Sequence, residues 1–275
     1  MVDKGENLTS QHFANLVRQK CLTLCHKYRA SHIGGAYSVA DVLAVLYSDV
    51  LTYRADDPFW KERDRVFYSK GHACTSLYAS LELAGFYSGL DQQFTVNGSI
   101  FTSHVSHKVP GVELSTGSLG HALSVSAGVA LAAKRRGCQW KVFTVVSDGE
   151  LDEGSNWETI LFAPHHKLNN LCLIIDYNKI QSFGTVNEVL MLDPLRKKLE
   201  AFNWDVYEID GHDHTQIREV LQKFKQTNDS RPTVIICNTI KGKGISFMEN
   251  QLAWHYKSPN DDELARGLKE LRDNA

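Results

Sequence analysis

From residue 141 onward the chain alternates short apolar runs with helix-length segments, and this rhythm constrains the fold more than any other feature. The runs are KVFTVV (141–146), LCLIID (171–176), WDVYEID (204–210) and TVIICNTI (233–240). Between them lie helical patterns over 155–168, around 194–202, and over TQIREVLQKFKQ (215–226). Strands alternating with helices imply βαβ units, hence an α/β fold with a parallel sheet flanked by helices. The earlier half reads as helical material packed on that sheet. Leu16, Val17, Cys21, Leu24, Cys25 and Tyr28 recur at helical spacing over 10–30. ASHIGGAYS then breaks the pattern with two glycines, and Ser38 is placed to N-cap VADVLAVLYSDVL. A short run at Val66–Tyr68 precedes SKGHACTSLYASLELAGF, a loop entering a helix. Residues 86–113 are loop-rich, and STGSLGHALSVSAGVALAAKRR restarts a helix dense in small residues. There is no internal repeat or low-complexity linker. One domain over 1–275 is expected, closing on the charged, helical DDELARGLKELRDNA.

Composition narrows the function classes. With 275 residues, 43% of them hydrophobic, the chain can bury a large core. A formal net charge of −2 without long runs of one sign gives nothing to attract nucleic acid or an anionic membrane. No apolar run approaches the length of a membrane span. The polar start MVDKGENLTSQHF lacks a secretory signal pattern. Six cysteines (Cys21, Cys25, Cys74, Cys138, Cys172, Cys237) form no CxxC pair and read as reduced, mostly buried thiols. A cytoplasmic protein is expected.

In a parallel sheet, ligands gather at the carboxyl ends of the strands. Asp148 directly follows the run 141–146, and Asn178 follows the run 171–176. If those strands are neighbours, a carboxylate and an amide oxygen share one edge, with the Ile180 carbonyl nearby. That is a hard oxygen set suited to Mg²⁺ or Ca²⁺, which complete their shells with water and phosphates. Gly149 lets backbone N–H groups approach a phosphate. Taken singly, Asp-Gly after a strand is a turn, and so is an Asn before a loop. Their combination across one crossover is what points to a metal.

SDGELDEG…HHKLNNLCLIIDYNKIQ resembles the thiamine diphosphate motif, which is Gly-Asp-Gly, just under thirty residues, then Asn. Here 28 residues (150–177) separate Gly149 from Asn178. More narrowly, the chain from about 10 to 260 is similar to the diphosphate-binding half of the transketolase family. Ser147 departs from the motif's first Gly, and Pro164 predicts a kink or early end in its helix.

The resemblance assigns the histidines. His32, in ASHIGGAYS, is by itself a loop residue, but the family implies a place by the reacting centre, moving substrate protons. His72, in SKGHA, is implied to bond the diphosphate. His104 matches the substrate-side histidine, with His107 as the alternative at that place. Gly117, Ser118 and Leu119 match the turn along the aminopyrimidine ring, where Ser118 also suits helix capping. Glu153 matches an acidic residue linking two cofactor sites across a subunit interface. Glu158 fits a capping box with Ser155. His255 matches a residue reaching both diphosphate and substrate hydroxyls. Lys241 and Lys243 could add positive charge near phosphates, but lysines flanking a Gly-rich loop read first as solvated.

The activity implied is transfer of a two-carbon ketol unit from a ketose phosphate to an aldose. The cofactor is the electron sink, and histidines suit the proton traffic because their pKa lies near neutrality. In the family, the carboxylate that activates the aminopyrimidine comes from a second, pyrimidine-binding domain, as do most phosphate-holding groups. The chain is thus expected to be the N-terminal subunit of a split enzyme. Its implied partner is a C-terminal transketolase subunit, in an α2β2 heterotetramer acting on sugar phosphates. The competing readings are an α-type subunit of a 2-oxoacid dehydrogenase and a non-catalytic binding module. A dinucleotide enzyme lacks support, since no GxGxxG follows a strand.

Overall fold

The computed structural model describes residues 8–227 and 229–273. The first seven residues of the polar N-terminus and the last two of the charged C-terminal segment lie outside the described residues. The sheet has five strands, all parallel: β1 (Arg65–Tyr68), β2 (Val142–Ser147), β3 (Leu171–Tyr177), β4 (Asp205–Asp210) and β5 (Thr233–Asn238), in the order β1-β2-β3-β5-β4. The expected parallel α/β architecture is present.

This strand order decides which helices cover which face. Right-handed crossovers that step in one direction place their helices on one side of the sheet. The steps β1→β2→β3→β4 all run the same way, so α6 (Ala122–Arg135), α7 (Gly154–His165) and α9 (Leu195–Ala201) share a face with Val142, Val146, Leu173, Ile175 and Ile236. The step β4→β5 reverses, and α10 (His214–Gln226) crosses to the other side. There it meets Phe143, Val145, Ile174 and Ile235, the residues one position out of phase, as a pleated strand requires.

One helix cannot cover that second face. The N-terminal third completes it with α1 (Ser10–Lys27), α2 (Ile33–Ser38), α3 (Ala40–Val45) and α4 (Cys74–Leu83), while α11 (Asp261–Asp273) closes over α1. Helices α2 and α3 are buried at every position, sandwiched between the sheet and outer helices. Two short helices, α5 (Leu90–Gln93) and α8 (Val186–Val189), sit in the loops.

Local readings differ from the structure at four places. The glycines at 34 and 35 lie inside α2, and the chain turns just before them, where His32 adopts a left-handed φ of 69°. Ser38 does not N-cap; it ends α2, and its hydroxyl donates to Gly35 O and Asp176 Oδ2. Ser155 and Glu158 form no capping box, because the Ser155 hydroxyl donates to Gly120 O at 2.6 Å. Ser118 does not cap α6, whose N-cap position is His121. Pro164 ends its helix as expected, one residue before the last. The described cysteines are unpaired, and all but Cys138 are buried. Among the described residues no helix is long and apolar enough to cross a membrane.

Candidate active site

Ser147 pairs in register with Asp176, so β2 and β3 release Asp148 and Asn178 side by side at one sheet edge. Ser147 is not among the residues with positive φ, so its side chain is tolerated where the motif has Gly. The Asp148 carboxylate accepts from the amides of Gly149 (2.7 Å) and Lys179 (2.6 Å). It is 2% exposed. Burial, and then the neighbouring Asp176 carboxylate, push its pKa up to about 6. A buried carboxylate this uncomfortable favours a cation beside it. Asn178 Oδ1 accepts from the Ile180 amide at 3.1 Å, and its Nδ2 faces Asp176 Oδ2 at 3.4 Å. The Asp148 carboxylate, Asn178 Oδ1 and Ile180 carbonyl form an all-oxygen donor set that fits Mg²⁺ or Ca²⁺. No cluster of three His, Cys, Asp or Glu that would suit a softer metal exists among the described residues.

Beneath this edge lies a fully buried ion pair between Lys70 and Asp176. Burial pushes the Asp176 carboxyl up. The Lys70 ammonium and hydrogen bonds from Lys70, Ser38 and Thr239 outweigh it and hold the carboxyl below its usual range. Lys70 also donates to Gly35 O at 2.7 Å, tying α2 to the site floor.

A cleft of about 420 Å³ opens above, and it brings together residues spread along the chain from His32 to Tyr256. His32, His72, His104 and His255 cluster on one wall. The His32 ring centroid lies 5.4 Å from His72, 6.2 Å from His104 and 5.1 Å from His255. His72 and His255 stack at 5.8 Å. Burial, reinforced by His104 and Lys241, lowers the His32 pKa to about 4. Burial and Lys241 lower that of His255 to about 3. His72 is likewise held well below its ordinary value, by burial and Lys70. These three rings are therefore neutral near pH 7, and burial opposes their protonation unless an anion binds beside them. His107 turns away, and its ring bonds Ser115 on an exposed loop. Of the two candidates, His104 is the one in the cleft.

Gly117, Leu119, Gly149 and Glu153 line the same cleft; Ser118 is exposed and outside it. Gly117 (φ 149°) passes so close to His104 that an added Cβ would lie 2.7 Å from the ring. Glu158 is exposed on α7, away from the cleft.

Sequence reasoning ranks one group wrongly and misses two others. Lys241 is not solvated: it is 2% exposed, and its ammonium reaches Ile180 O (2.9 Å), Gln181 O (3.3 Å) and His255 Nδ1 (2.9 Å). Burial lowers its pKa to about 8. Its bond to His255 Nδ1 leaves the proton of that ring on Nε2. Glu150 is fully buried; it accepts from the Ser69 hydroxyl and the Gly120 amide, clamping the 117–120 turn to the Asp148 loop. Phe183 and Tyr256 stand exposed on the cleft rim, and Leu190 and Met191 are exposed just beyond.

Comparison with known proteins places this geometry. A family model described as "Transketolase, thiamine diphosphate binding domain" matches residues 9–272. The chain is 38% identical over 255 residues to an apulose-4-phosphate transketolase subunit from Phocaeicola vulgatus, covering 92% of this chain and 90% of that one. It is 37% identical to the 6-deoxy-6-sulfo-D-fructose transketolase subunit SqwG of a Clostridium species, covering 97% of each. The solved transketolase from Leishmania mexicana superposes with a TM-score of 0.90 at 28% identity, over 96% of this chain but only 41% of that one.

Proposed function

The chain belongs to the transketolase family, through its thiamine diphosphate binding domain, and on that footing we propose that it is the cofactor-binding subunit of a split transketolase. In this reading it transfers a two-carbon ketol unit from a ketose phosphate to an aldose, together with a C-terminal-type subunit that carries the pyrimidine-binding domain. The observation that carries the proposal is the single cleft in which four histidines face the Asp148–Asn178–Ile180 oxygen set.

Thiamine diphosphate supplies the electron sink for carbon–carbon bond cleavage and formation. The chain's own residues do the rest. Asp148, Asn178 and the Ile180 carbonyl would hold a divalent ion, Mg²⁺ or Ca²⁺, against the diphosphate. His72 and His255, with Lys241 between His255 and the Ile180 carbonyl, would add donors to the same anion. A bound anion favours protonation of those groups, opposing the burial that lowers them. Gly117 and Leu119 offer a surface along the aminopyrimidine ring. His32 and His104 face the open part of the cleft, where they can take and return hydroxyl protons of a sugar. Glu153, exposed at the rim, would link this site to a second copy across a subunit interface.

The need for a partner is supported by the relatives. The apulose-4-phosphate and 6-deoxy-6-sulfo-D-fructose relatives, matched over 90% and 97% of their own length, are named as subunits, whereas the solved Leishmania mexicana transketolase carries this unit within a much longer chain. The exposed Phe183, Leu190 and Met191 beside the cleft are apolar surface that a partner would cover. An α2β2 heterotetramer with two cofactor sites is the assembly proposed, and a cytoplasmic setting is consistent with the unpaired cysteines. The test is ketol transfer from a ketose phosphate to an aldose, with thiamine diphosphate and Mg²⁺, by the chain alone and after addition of the partner. Turnover only with the partner is expected. Full turnover without it, or 2-oxoacid decarboxylation in place of ketol transfer, overturns the assignment.

A further inference from the structure

Outside the cleft, on the far side of the turn that delivers Lys241, the structure buries a second group of ionisable side chains. Asp41 of α3 is its centre. Its carboxylate is gripped by Arg18 of α1 through Nη1 at 3.0 Å and Nη2 at 2.5 Å. His214 Nε2 reaches the same carboxylate at 3.0 Å and His212 Nδ1 at 2.6 Å. Burial pushes the Asp41 carboxyl up, but Arg18 and the two histidines outweigh it and hold it well below the usual range. It is therefore a fixed anion.

What makes the group more than a structural knot is the other nitrogen of His212. Nε2 lies 2.8 Å from the backbone nitrogen of Ile240. A backbone N–H can only donate, so Nε2 must accept. That fixes the tautomer: the ring proton sits on Nδ1 and is donated to Asp41. The chain Arg18–Asp41–His212–Ile240 then ends one residue before Lys241. The neighbouring residues of this turn are pinned by other means. Thr239 N donates to Tyr177 O at 3.2 Å, and Gly242 N donates to Gly34 O at 2.9 Å. The Ile240 amide is the one held by a side chain. Lys241 in turn contacts the carbonyl of Ile180, a proposed ion ligand, and His255 Nδ1.

We propose that His212, oriented by Asp41, is a positioning residue for the diphosphate end of the cleft: by accepting the Ile240 amide it fixes the turn that places Lys241 against Ile180 and His255. This rests on reading the cleft as the thiamine diphosphate site. His212 touches neither cofactor nor substrate, so its loss acts through Lys241. The affinity for cofactor falls, while kcat at saturating cofactor is retained.

The test compares His212→Leu with His212→Gln in the complex with the partner subunit. The glutamine oxygen can accept the Ile240 amide and its NH₂ can donate to Asp41; leucine can do neither. Loss of a supporting contact of this kind costs about 10-fold or more in affinity. Titration with thiamine diphosphate at fixed Mg²⁺ should show that loss for His212→Leu, with His212→Gln closer to the parent and kcat at saturation kept by both. A merely structural role would lower the melting temperature of both and leave no rescue of affinity by glutamine. Independently, the ring ¹⁵N shifts of His212 in the parent chain should report Nδ1 protonated and Nε2 bare. A protonated Nε2, a glutamine variant that binds as poorly as the leucine one, or a folded leucine variant with parental affinity each overturns the proposal. If the leucine variant does not fold, the ring shifts and the glutamine variant decide. If the parent complex binds no thiamine diphosphate, the reading of the cleft fails, and the ring shifts still test the His212 tautomer.

Discussion

Gly71 carries a prediction whose size can be worked from the structure. It immediately precedes His72 and lies flat against the segment that forms the 117–120 turn. A Cβ built at Gly71 would sit 2.4 Å from the carbonyl carbon and oxygen of Thr116 and 2.5 Å from Gly117 N. Ordinary contact begins at 3.4 Å, so Gly71→Ala forces the two backbones apart by about 1 Å (3.4 − 2.4). Neither side gives easily. Thr116 is tied by its hydroxyl to Tyr68 O (2.8 Å) and by its amide to Val105 O (3.1 Å). Overpacking of this kind costs about 1–3 kcal/mol, which lowers the melting temperature by roughly 2–12 °C. The same displacement moves Gly117 relative to His104 and His72, and misplacing a catalytic wall by ~1 Å is worth on the order of 100-fold in rate. The assay is a thermal melt of the chain and ketol transfer by the reconstituted complex. A Gly71→Ala chain that melts with the parent and reconstitutes full activity refutes the close-approach argument.

Other consequences follow from the charges. Asp148→Asn should weaken Mg²⁺-dependent thiamine diphosphate binding at least about tenfold. The metal-free chain should melt near the parent, because relief of a buried charge offsets one lost acceptor; unchanged Mg²⁺ dependence would remove Asp148 from the ligand set. Lys70→Met leaves the Asp176 carboxylate buried without its cation and should cost about 3–5 kcal/mol in urea unfolding, and a midpoint equal to the parent's would contradict it. His255 is held at about 3 when folded, against 6.5 as its ordinary value. The folded chain therefore binds fewer protons, and this contribution to stability is complete above about pH 6.5 and drains away as pH falls toward 3. His255→Gln should accordingly flatten the fall in stability between pH 7 and pH 5, as read from denaturation midpoints; an unchanged slope would show that the ring is not buried neutral.

The sheet was legible because fully buried parallel strands must be nearly continuous apolar runs, and each was bounded by turn residues. Asp148 and Asn178 were legible for the same reason: a polar residue directly after such a run has one place to go. The four histidines were not findable by spacing, since 223 positions separate His32 from His255 (255 − 32) and only the fold brings them together. The burial of Lys241 is not legible because a lysine among glycines carries no local sign of it; the carbonyls that accept it come from residues 180 and 181. Nothing local marks Glu150 between two better-matched acids, because its partners, Ser69 and Gly120, are distant in sequence. Local rules place Ser38 and Ser155 at caps because they see only the nearest amides, whereas both hydroxyls have tertiary partners.

The backbone at His32 sets the fold against its own chemistry. A side chain in the left-handed region costs roughly 1–2 kcal/mol that glycine would not incur, and His32 holds that conformation with φ at 69°. A library of this chain selected for heat resistance alone would therefore drift toward glycine at 32, enriching sturdier molecules that have discarded the imidazole at the centre of the histidine cluster.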